Sequence, residues 1–555
     1  MTASSNVSAP KPVLLVVDDD AEVLRAVARD LRRRYSGEYR VLRAESAEEA
    51  LAALQEVRER GDPVALLLSD QRMPTMDGVA FLGRASLLFP SAKRALLTAY
   101  ADTDAAIRAI NESRVHYYLT KPWDPPEENL FPIVDDLLAD WRGDYKPGFG
   151  GVKIVGDRWS PKSHELRDFL ARNGVPYTFY DLEGDAQAAE LRQDDEGLPV
   201  VILPEGERLA SPSVSDVAHA IGLKGTASRP FYDLAIVGGG PAGLAAAVYG
   251  ASEGLSTVLI EREAPGGQAG TSSRIENYLG FPSGLSGGDL ARRAVTQAQR
   301  FGVEILTPRD VTSMRAEGPY KYLTLEDGSE IGAHGVVIAT GVSWQKIPAR
   351  GADTLTGRGV YYGASRVEAI GCGGEDVFIV GAGNSAGQAA LYFSQFAASV
   401  VMLVRGESLE SKMSMYLVER IREAPNIEVL TKHEVVACEG EERLEGLEIK
   451  NAATGETFRR PASYLFSFIG AAPRTEWLGD AFARDKRGYL LVGDALTSEH
   501  LGAWPLPRRP FPLETNVPGV FAVGDVRADS VKRVASAVGE GSVTVSFVHQ
   551  HLASL

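Results

Sequence analysis

The stretch Asp233-Leu234-Ala235-Ile236-Val237-Gly238-Gly239-Gly240-Pro241-Ala242-Gly243 decides the fold of the carboxyl-terminal part of the chain. An apolar run that enters closely spaced glycines and continues into a helical pattern predicts a strand, a tight turn and a helix. Gly238 allows the turn, Gly240 lets backbone approach a pyrophosphate at the helix amino terminus, and Gly243 allows close packing. A second strand ends in Glu261, which can accept hydrogen bonds from ribose hydroxyls. Together these features predict a dinucleotide-binding unit.

A second strand and glycine turn follows later in the chain. Val377–Val380 runs into Gly381-Ala382-Gly383-Asn384-Ser385-Ala386. Beyond it, Val404 is followed by Arg405. The strand and glycine turn predict a second dinucleotide unit.

Further motifs extend the pattern across residues 231–555. They are Gly266-Gly267-Gln268, Glu276-Asn277-Tyr278, Ala339-Thr340-Gly341, Pro518–Asp525 and Arg533-Val534-Ala535. This region resembles the low-molecular-weight thioredoxin reductase family. The resemblance implies FAD bound by Gly238, Gly240, Gly243, Glu261, Gly267, Gln268, Asn277, Gly341, Gly524, Asp525, Arg533, Val534 and Ala535. It implies a nicotinamide cofactor bound by Gly381, Gly383, Asn384, Ser385, Ala386 and Arg405. NADPH is favoured and NADH is left open, because one arginine, Arg405, can hold the 2'-phosphate by a bidentate contact.

The redox-active cysteine pair of that family is missing. Its two positions fall on Gly363 and Arg366, and the only cysteines, Cys372 and Cys438, form no CxxC. We expect both to be buried small hydrophobic residues, because two cysteines support neither a disulfide framework nor a zinc site. Disulfide reduction by an internal dithiol is therefore not inferred. Arg366 is interpreted either as a cation near the flavin or as part of a surface ion pair.

The amino-terminal region carries polar residues at four predicted strand ends. Val13–Val17 ends in Asp18-Asp19-Asp20, Val64–Leu68 in Ser69-Asp70, Ala95–Leu97 in Thr98, and Tyr117–Leu119 in Thr120-Lys121. In a parallel sheet these ends share one edge, and clustered carboxylates favour a hard cation.

Residues 11 to about 140 resemble a response-regulator receiver domain. The resemblance implies that Asp70 is the phosphoacceptor and that Lys121 pairs with the phosphoryl oxygens. Thr98 and Tyr118 would form the switch. Mg²⁺ would be bound by Asp18, Asp19, Asp70 and the carbonyl of Arg72.

The region between these two parts resembles a glutaredoxin or thioredoxin fold. The position of its CxxC reads Trp159-Ser160-Pro161-Lys162-Ser163-His164, and a serine hydroxyl cannot replace a thiolate in disulfide exchange. By the resemblance, Pro199 would follow a cis peptide bond. The sequence leaves two roles open, a docking platform or a spacer.

The predicted fold class is α/β and multidomain, with a flavodoxin-like receiver, a thioredoxin-like fold and two Rossmann-like domains of thioredoxin reductase type. The predicted boundaries are 11–141 for the receiver, 142–150 for a linker, 151–226 for the thioredoxin-like domain, 231–345 with 470–555 for the FAD domain, and 346–469 for the NAD(P)H domain. A net charge of −16 argues against nucleic acid as a partner. No apolar run approaches the roughly 18 residues of a membrane span, and the first residues lack a signal peptide. We therefore expect a cytoplasmic protein.

The predicted function is an NAD(P)H-dependent FAD oxidoreductase that is regulated by aspartyl phosphorylation and passes electrons to an external acceptor. Candidate acceptors are a ferredoxin-like protein, a quinone, oxygen or a partner disulfide. Expected partners are a histidine kinase or phosphotransfer protein and, by family resemblance, a second copy in a homodimer. The alternatives are a non-catalytic redox-sensing flavoprotein and a thioredoxin reductase that relies on partner thiols.

Overall fold

The computed structural model describes residues 11–89, 91–98, 115–144, 151–193, 196–272, 274–281, 284–363, 371–502 and 504–555. The chain divides into two compact units, residues 1–149 and 150–555. Among the described helices, none combines the length and the apolar character needed to cross a membrane.

The first unit is built on a parallel five-stranded sheet in the order β2-β1-β3-β4-β5. Its strands are β1 Val13–Val17, β2 Arg40–Ala44, β3 Val64–Asp70, β4 Lys93–Thr98 and β5 Tyr117–Thr120. Its described helices are α1 Ala21–Tyr35, α2 Ala47–Glu59, α3 Gly78–Leu88, α4 Pro126–Asn129 and α5 Phe131–Asp144. Strands β1, β3 and β4 are fully buried, which explains their continuous apolar runs. The last helix reaches Asp144, inside the range predicted as a linker.

The second unit begins with a mixed four-stranded sheet in the order β7-β6-β8-β9. Its strands are β6 Val152–Gly156, β7 Tyr177–Asp181, β8 Val200–Ile202 and β9 Arg208–Ala210, and its helices are α6 Pro161–Arg172, α7 Ala186–Leu191 and α8 Val214–Ala220. Strand β6 is parallel to β7 and antiparallel to β8. The Leu198–Pro199 peptide bond is cis, as the sequence predicts. We call residues 152–223 the middle module.

The next sheet is formed around β10, the strand that runs into the glycine turn at Gly238. Its order is β12-β11-β10-β15-β14-β13, with β26 paired to β15. The strands are β10 Phe231–Val237, β11 Thr257–Ile260, β12 Glu304–Leu306, β13 Val311–Glu317, β14 Tyr320–Leu325, β15 Glu330–Ile338 and β26 Val520–Ala522. The helices are α9 Pro241–Ser252, α10 Gly267–Gly270, α11 Gly287–Arg300 and α14 Val534–Leu552. We call this part the first dinucleotide domain.

A further five-stranded parallel sheet lies between β15 and β26 in sequence, in the order β17-β24-β18-β19-β20. Its strands are β17 Val360–Tyr362, β18 Asp376–Val380, β19 Ser399–Val404, β20 Ile427–Thr431 and β24 Tyr464–Ser467, with helices α12 Asn384–Phe393 and α13 Met415–Glu423. An antiparallel sheet of β21 His433–Glu439, β22 Gly446–Asn451 and β23 Thr457–Pro461 accompanies it. Strands β16 Val342–Trp344 and β25 Ala471–Pro473 pair where the chain enters and leaves this part. We call it the second dinucleotide domain.

The far end of α14 carries a buried histidine. His551 is 2% exposed, and neither ring nitrogen has a hydrogen-bond partner. Burial, together with the nearby charge of Lys321, lowers its pKa to about 4, although the carboxylate of Glu514 opposes the shift. The unfolded chain takes up this proton near pH 6.5, so the stabilisation present above that value is lost as the pH falls towards 4.

We therefore expect about 2 kcal/mol less stability at pH 5 than at pH 7 from this group. Denaturant unfolding at both pH values measures the loss. The His551→Phe variant should lose less stability than the parent over the same interval. An equal loss in both proteins would contradict the prediction.

Candidate functional site

The polar strand ends of the first unit meet around Lys121. Its Nζ donates to Asp18 Oδ2 at 2.7 Å and to Asp70 Oδ1. Burial raises the pKa of Asp18 above its usual value, even though the Lys121 ammonium opposes that shift. Burial lowers the pKa of Lys121, but the hydrogen bonds to both carboxylates raise it by more, so its pKa lies above the usual value. The arrangement pairs one ammonium with two carboxylates at the carboxyl edge of the sheet.

The predicted magnesium ligands do not form such a compact group. Asp19 is exposed, and the backbone N–H of Arg72 donates to Asp70 Oδ2 at 2.8 Å. The part of the chain that is described contains no group of three or more His, Cys, Asp or Glu side chains placed to hold a metal ion. The magnesium prediction is therefore not supported by these side chains.

The two predicted switch residues differ in what the structure describes. Thr98 is buried at the end of β4, and its carbonyl accepts from the backbone N–H of Lys121 at 2.8 Å. Tyr118 lies in β5, but its side chain is outside the described part of the chain. The switch remains a prediction.

A cleft of about 390 Å³ in the second unit collects both dinucleotide motifs. Twelve of the residues that the sequence assigns to FAD line it. They are Gly238, Gly240, Glu261, Gly267, Gln268, Asn277, Gly341, Gly524, Asp525, Arg533, Val534 and Ala535. Gly243 does not line the cleft; a Cβ there would lie 1.9 Å from the carbonyl oxygen of Gly238, so only glycine permits this packing.

Two helices begin at the cleft with no side-chain cap. Helix α9 starts after Gly240 and α14 after Arg533, and neither cap residue's side chain accepts from the first turn. The first N–H groups of a helix need partners, and an anion placed there is stabilised by the helix dipole. Both helix starts are thus suited to the phosphates of a dinucleotide.

Four carboxylates line the cleft, those of Glu261, Glu263, Asp310 and Asp525, and Glu261 and Asp525 are the two that the sequence assigns to FAD. Glu261 Oε2 accepts from the Gly239 N–H at 2.6 Å, and Oε1 accepts from the Glu263 N–H at 2.9 Å. Burial raises the pKa of Glu261 despite these bonds. Burial likewise raises the pKa of Asp525, against the opposing charge of Lys532. Both groups are positioned to accept hydrogen bonds from hydroxyls of a ligand.

The helix that follows the glycine turn of the second dinucleotide domain begins at the same cleft. Asn384 and Ser385, at the start of α12, are part of its lining. Asn384 exchanges two hydrogen bonds with Ser414, of 2.7 Å to its backbone N–H and 3.0 Å to its hydroxyl. Helix α12 also begins without a side-chain cap, after Gly383. The start of α12 therefore lines the same cleft as the residues that the sequence assigns to FAD.

The four remaining residues predicted for the nicotinamide cofactor, Gly381, Gly383, Ala386 and Arg405, lie outside the lining. Gly381 forms the turn after β18 with a positive φ of 143°, and Ala386 is buried. Arg405 directly follows β19 and is exposed. Its guanidinium is available to a ligand that extends past the end of β19.

At the predicted position of the first redox cysteine, the backbone favours glycine. Gly363 has a φ of 86°, and a Cβ there would lie 3.0 Å from Trp344 Nε1. Arg366 lies outside the described residues. Cys372 and Cys438 are buried, as the sequence predicts, and burial raises the pKa of Cys438 to about 12. A thiol with so high a pKa is a poor nucleophile.

Sequence reasoning missed several residues of the cleft. Arg172, Gln388, Arg474 and Lys532 all line it. Only Lys532 had a signal in the sequence, because it directly precedes the motif Arg533-Val534-Ala535. Arg172 belongs to the middle module, and no motif connects it with a dinucleotide.

Each dinucleotide domain has a glycine turn, and the first turn and the helix start after the second turn line one cleft. These features define a two-domain, dinucleotide-binding oxidoreductase. The chain belongs to the pyridine nucleotide-disulphide oxidoreductase family, whose model matches residues 232–541. Residues 14–130 match the response regulator receiver domain. The α/β multidomain fold and the enzyme class predicted from the sequence are thus confirmed.

Among its relatives is a thioredoxin reductase of Streptomyces clavuligerus, 33% identical over 58% of this chain and 94% of the relative. A bifunctional thioredoxin reductase/thioredoxin of Mycobacterium leprae is 32% identical over 57% of this chain. The matched region spans 65% of that relative's length. The crystal structure of Lactococcus lactis thioredoxin reductase in its FR conformation superimposes with a TM-score of 0.53 at 28% identity. That match covers 58% of this chain and all of the other.

Proposed function

We propose that this protein is a NAD(P)H-dependent FAD oxidoreductase that passes electrons to an external acceptor and is regulated through its receiver domain. The observation that carries the proposal is the single cleft onto which Gly240, Asp525 and Asn384 all open. A flavin bound there would accept a hydride from a nicotinamide and deliver the electrons onward. The residues of the chain bind the two dinucleotides and orient them towards each other.

The acceptor must be external because the chain offers no dithiol. The sequence contains no CxxC, and Gly363 occupies a position where its positive φ and Trp344 oppose a larger side chain. A ferredoxin-like protein, a quinone, oxygen or a partner disulfide would each satisfy this requirement.

Anaerobic mixing with NADPH and with NADH tests the proposal. We expect the visible absorption of the purified flavoprotein to bleach, and each candidate acceptor is then added in turn to restore it. A spectrum that neither nicotinamide changes would remove the enzymatic proposal. Bleaching without turnover by any acceptor would favour the redox-sensing alternative.

The choice of nicotinamide depends on Arg405. This arginine follows β19 and is exposed, so it can approach a 2'-phosphate. In the Arg405→Ala variant we expect KM for NADPH to rise about 10-fold, since a charge-assisted contact contributes roughly 1.5 kcal/mol. Steady-state oxidation of both nicotinamides with ferricyanide as acceptor measures the effect.

Exposed Lys412 provides the matched control for Arg405. Lys412→Ala removes a cation from the same segment, and we expect it to change KM for NADPH far less. KM for NADH should stay constant in both variants. An equal rise for NADPH and NADH in Arg405→Ala would contradict recognition of the 2'-phosphate.

For the receiver we propose Asp70 as phosphoacceptor and a histidine kinase or phosphotransfer protein as donor. The support is the contact of Lys121 with Asp70 and the buried Thr98 at the neighbouring strand end. Phosphorylation would add charge and acceptor oxygens beside Lys121 and so bias the local structure. A homodimer is proposed from family resemblance alone.

For residues 151–226 we propose a thioredoxin-like domain without thiols. The support is the sheet order β7-β6-β8-β9 and the helix that starts at Pro161. The face that would meet a thiol partner is covered, because Trp159 and His164 contact Tyr464 and Tyr361 of the second dinucleotide domain. This favours an internal structural role over reduction with partner thiols.

A further inference from the structure

Helix α6 of the middle module touches both dinucleotide domains. Its 12 residues span about 18 Å, so its two ends can reach different neighbours. The first turn lies against the second dinucleotide domain and the last turn against the first. One helix thus connects the two dinucleotide domains.

The start of α6 makes aromatic contacts through Trp159, two residues before the helix, and through His164 in its first turn. The Trp159 ring lies 5.6 Å from the Tyr464 ring, and His164 lies 5.0 Å from Tyr361. The guanidinium carbon of Arg443 lies 5.4 Å from the centre of the Trp159 ring, within cation–π range. Trp159 also packs against the apolar core of the second dinucleotide domain. This end of α6 is therefore held in place.

The last turn carries Arg172 to the wall of the cofactor cleft. Its Nη1 donates to Glu263 Oε2 at 2.6 Å and lies 3.7 Å from Asp168 Oδ2. The next residue, Asn173, donates through Nδ2 to the Glu263 carbonyl at 3.3 Å. Arg172 is 19% exposed, and it lines the cleft together with Glu261.

This position is the adenosine end of the proposed FAD site. Glu261 directly follows β11, at the position where a carboxylate accepts from ribose hydroxyls in dinucleotide-binding folds. Glu263 is two residues further on, so Arg172 stands beside the ribose and adenine positions. A guanidinium there can both hydrogen-bond and stack on an aromatic ring. Burial opposes the charge of Arg172, but Asp168 and Glu263 outweigh it and raise its pKa.

We propose that the middle module completes the FAD site, with Arg172 as a positioning residue for the adenosine half of the dinucleotide. The inference rests on the proposed function, because it requires FAD in the cleft. Helix α6 carries this residue from a module outside both dinucleotide domains, and the docked first turn keeps it there. The module that has lost its thiols thereby keeps a role in cofactor binding.

Titration of the full-length apoprotein with FAD and with ADP tests the inference. In Arg172→Ala we expect Kd to rise at least about 10-fold for both ligands, since a buried charged contact is lost. ADP contains the adenosine and pyrophosphate of FAD but lacks the ribityl chain and the flavin ring. The midpoint potential of bound FAD should not change, because the flavin ring lies at the other end of the ligand.

Glu165→Ala is the matched control, because Glu165 is an exposed residue of the same helix. It should bind both ligands like the parent. If Arg172→Ala does not fold, Arg172→Lys replaces it; this variant keeps the charge but loses the planar fork, and a rise of about 3-fold or more for ADP is expected.

The outcomes separate the two proposals. Unchanged Kd values in the Arg172 variants would overturn the inference and leave the proposed function standing. Weaker FAD binding with unchanged ADP binding would also overturn it, since the adenosine half would then not be involved. A parent protein that binds no FAD would instead overturn the proposed function.

Discussion

Replacement of Gly240 by valine is expected to give a folded protein without flavin. Gly240 has a φ of −71° and a ψ of −178°, which valine adopts readily, and a Cβ there would meet no atom within 4 Å. The apoprotein therefore accommodates the new side chain. That side chain would project into the space at the start of α9 where the proposal places the pyrophosphate. We expect Kd for FAD to rise more than about 100-fold, which corresponds to about 2.7 kcal/mol.

Flavin content after purification and titration of the apoprotein with FAD measure this loss. Gly383→Val is the matched variant, because Gly383 also precedes an uncapped helix and its Cβ position is also free of neighbours. It should keep FAD but no longer be reduced by NADPH. A Gly240→Val protein that retains flavin would contradict the prediction. So would loss of FAD in Gly383→Val together with loss of reduction by NADPH in Gly240→Val, because the FAD and nicotinamide positions would then be exchanged.

Replacement of Asp70 by asparagine is expected to abolish phosphorylation of the receiver. The amide keeps the size of the side chain but lacks the nucleophilic carboxylate that contacts Lys121. Incubation with a small-molecule phosphodonor, followed by intact-protein mass spectrometry, should show a phosphorylated parent and an unmodified variant. Any change in NADPH oxidation that depends on phosphorylation should disappear in Asp70→Asn.

Asp136→Asn is the control for this experiment, since Asp136 is an exposed carboxylate on α5 of the same unit. It should be phosphorylated like the parent and should respond like it in NADPH oxidation. Phosphorylation that persists in Asp70→Asn would place the acceptor elsewhere. If NADPH oxidation in Asp70→Asn still changed as it does in the parent, phosphorylation of the receiver would not regulate the oxidoreductase.

Local patterns predicted the elements of the fold well. Strand β1 has the predicted bounds, and β10, β11 and β18 lie within one or two residues of theirs, because their buried apolar runs end at glycines or carboxylates. Helix ends were less predictable. Helix α1 continues to Tyr35, which is buried against the rest of the unit. Such contacts are not encoded in local spacing.

The candidate site shows the same division. The glycine turns and the acidic strand ends were predictable because their chemistry needs particular residues at short, regular spacing. Arg172 was not predictable, because it reaches the cleft from another module, 91 residues from its partner Glu263. The predicted magnesium ligands share a strand-end pattern, but Asp18 and Asp70 are bridged by Lys121 while Asp19 is exposed.

The sequence by itself determined the class of the protein, the two dinucleotide turns and the absence of any CxxC, since each depends on which residues follow one another. Only the tertiary structure decided that the first glycine turn and the start of α12 line one cleft and that Trp159 and His164 contact the second dinucleotide domain. It also brought Arg172 to the wall of that cleft. These relations join residues far apart in the chain, and burial and charge pairing between packed modules establish them.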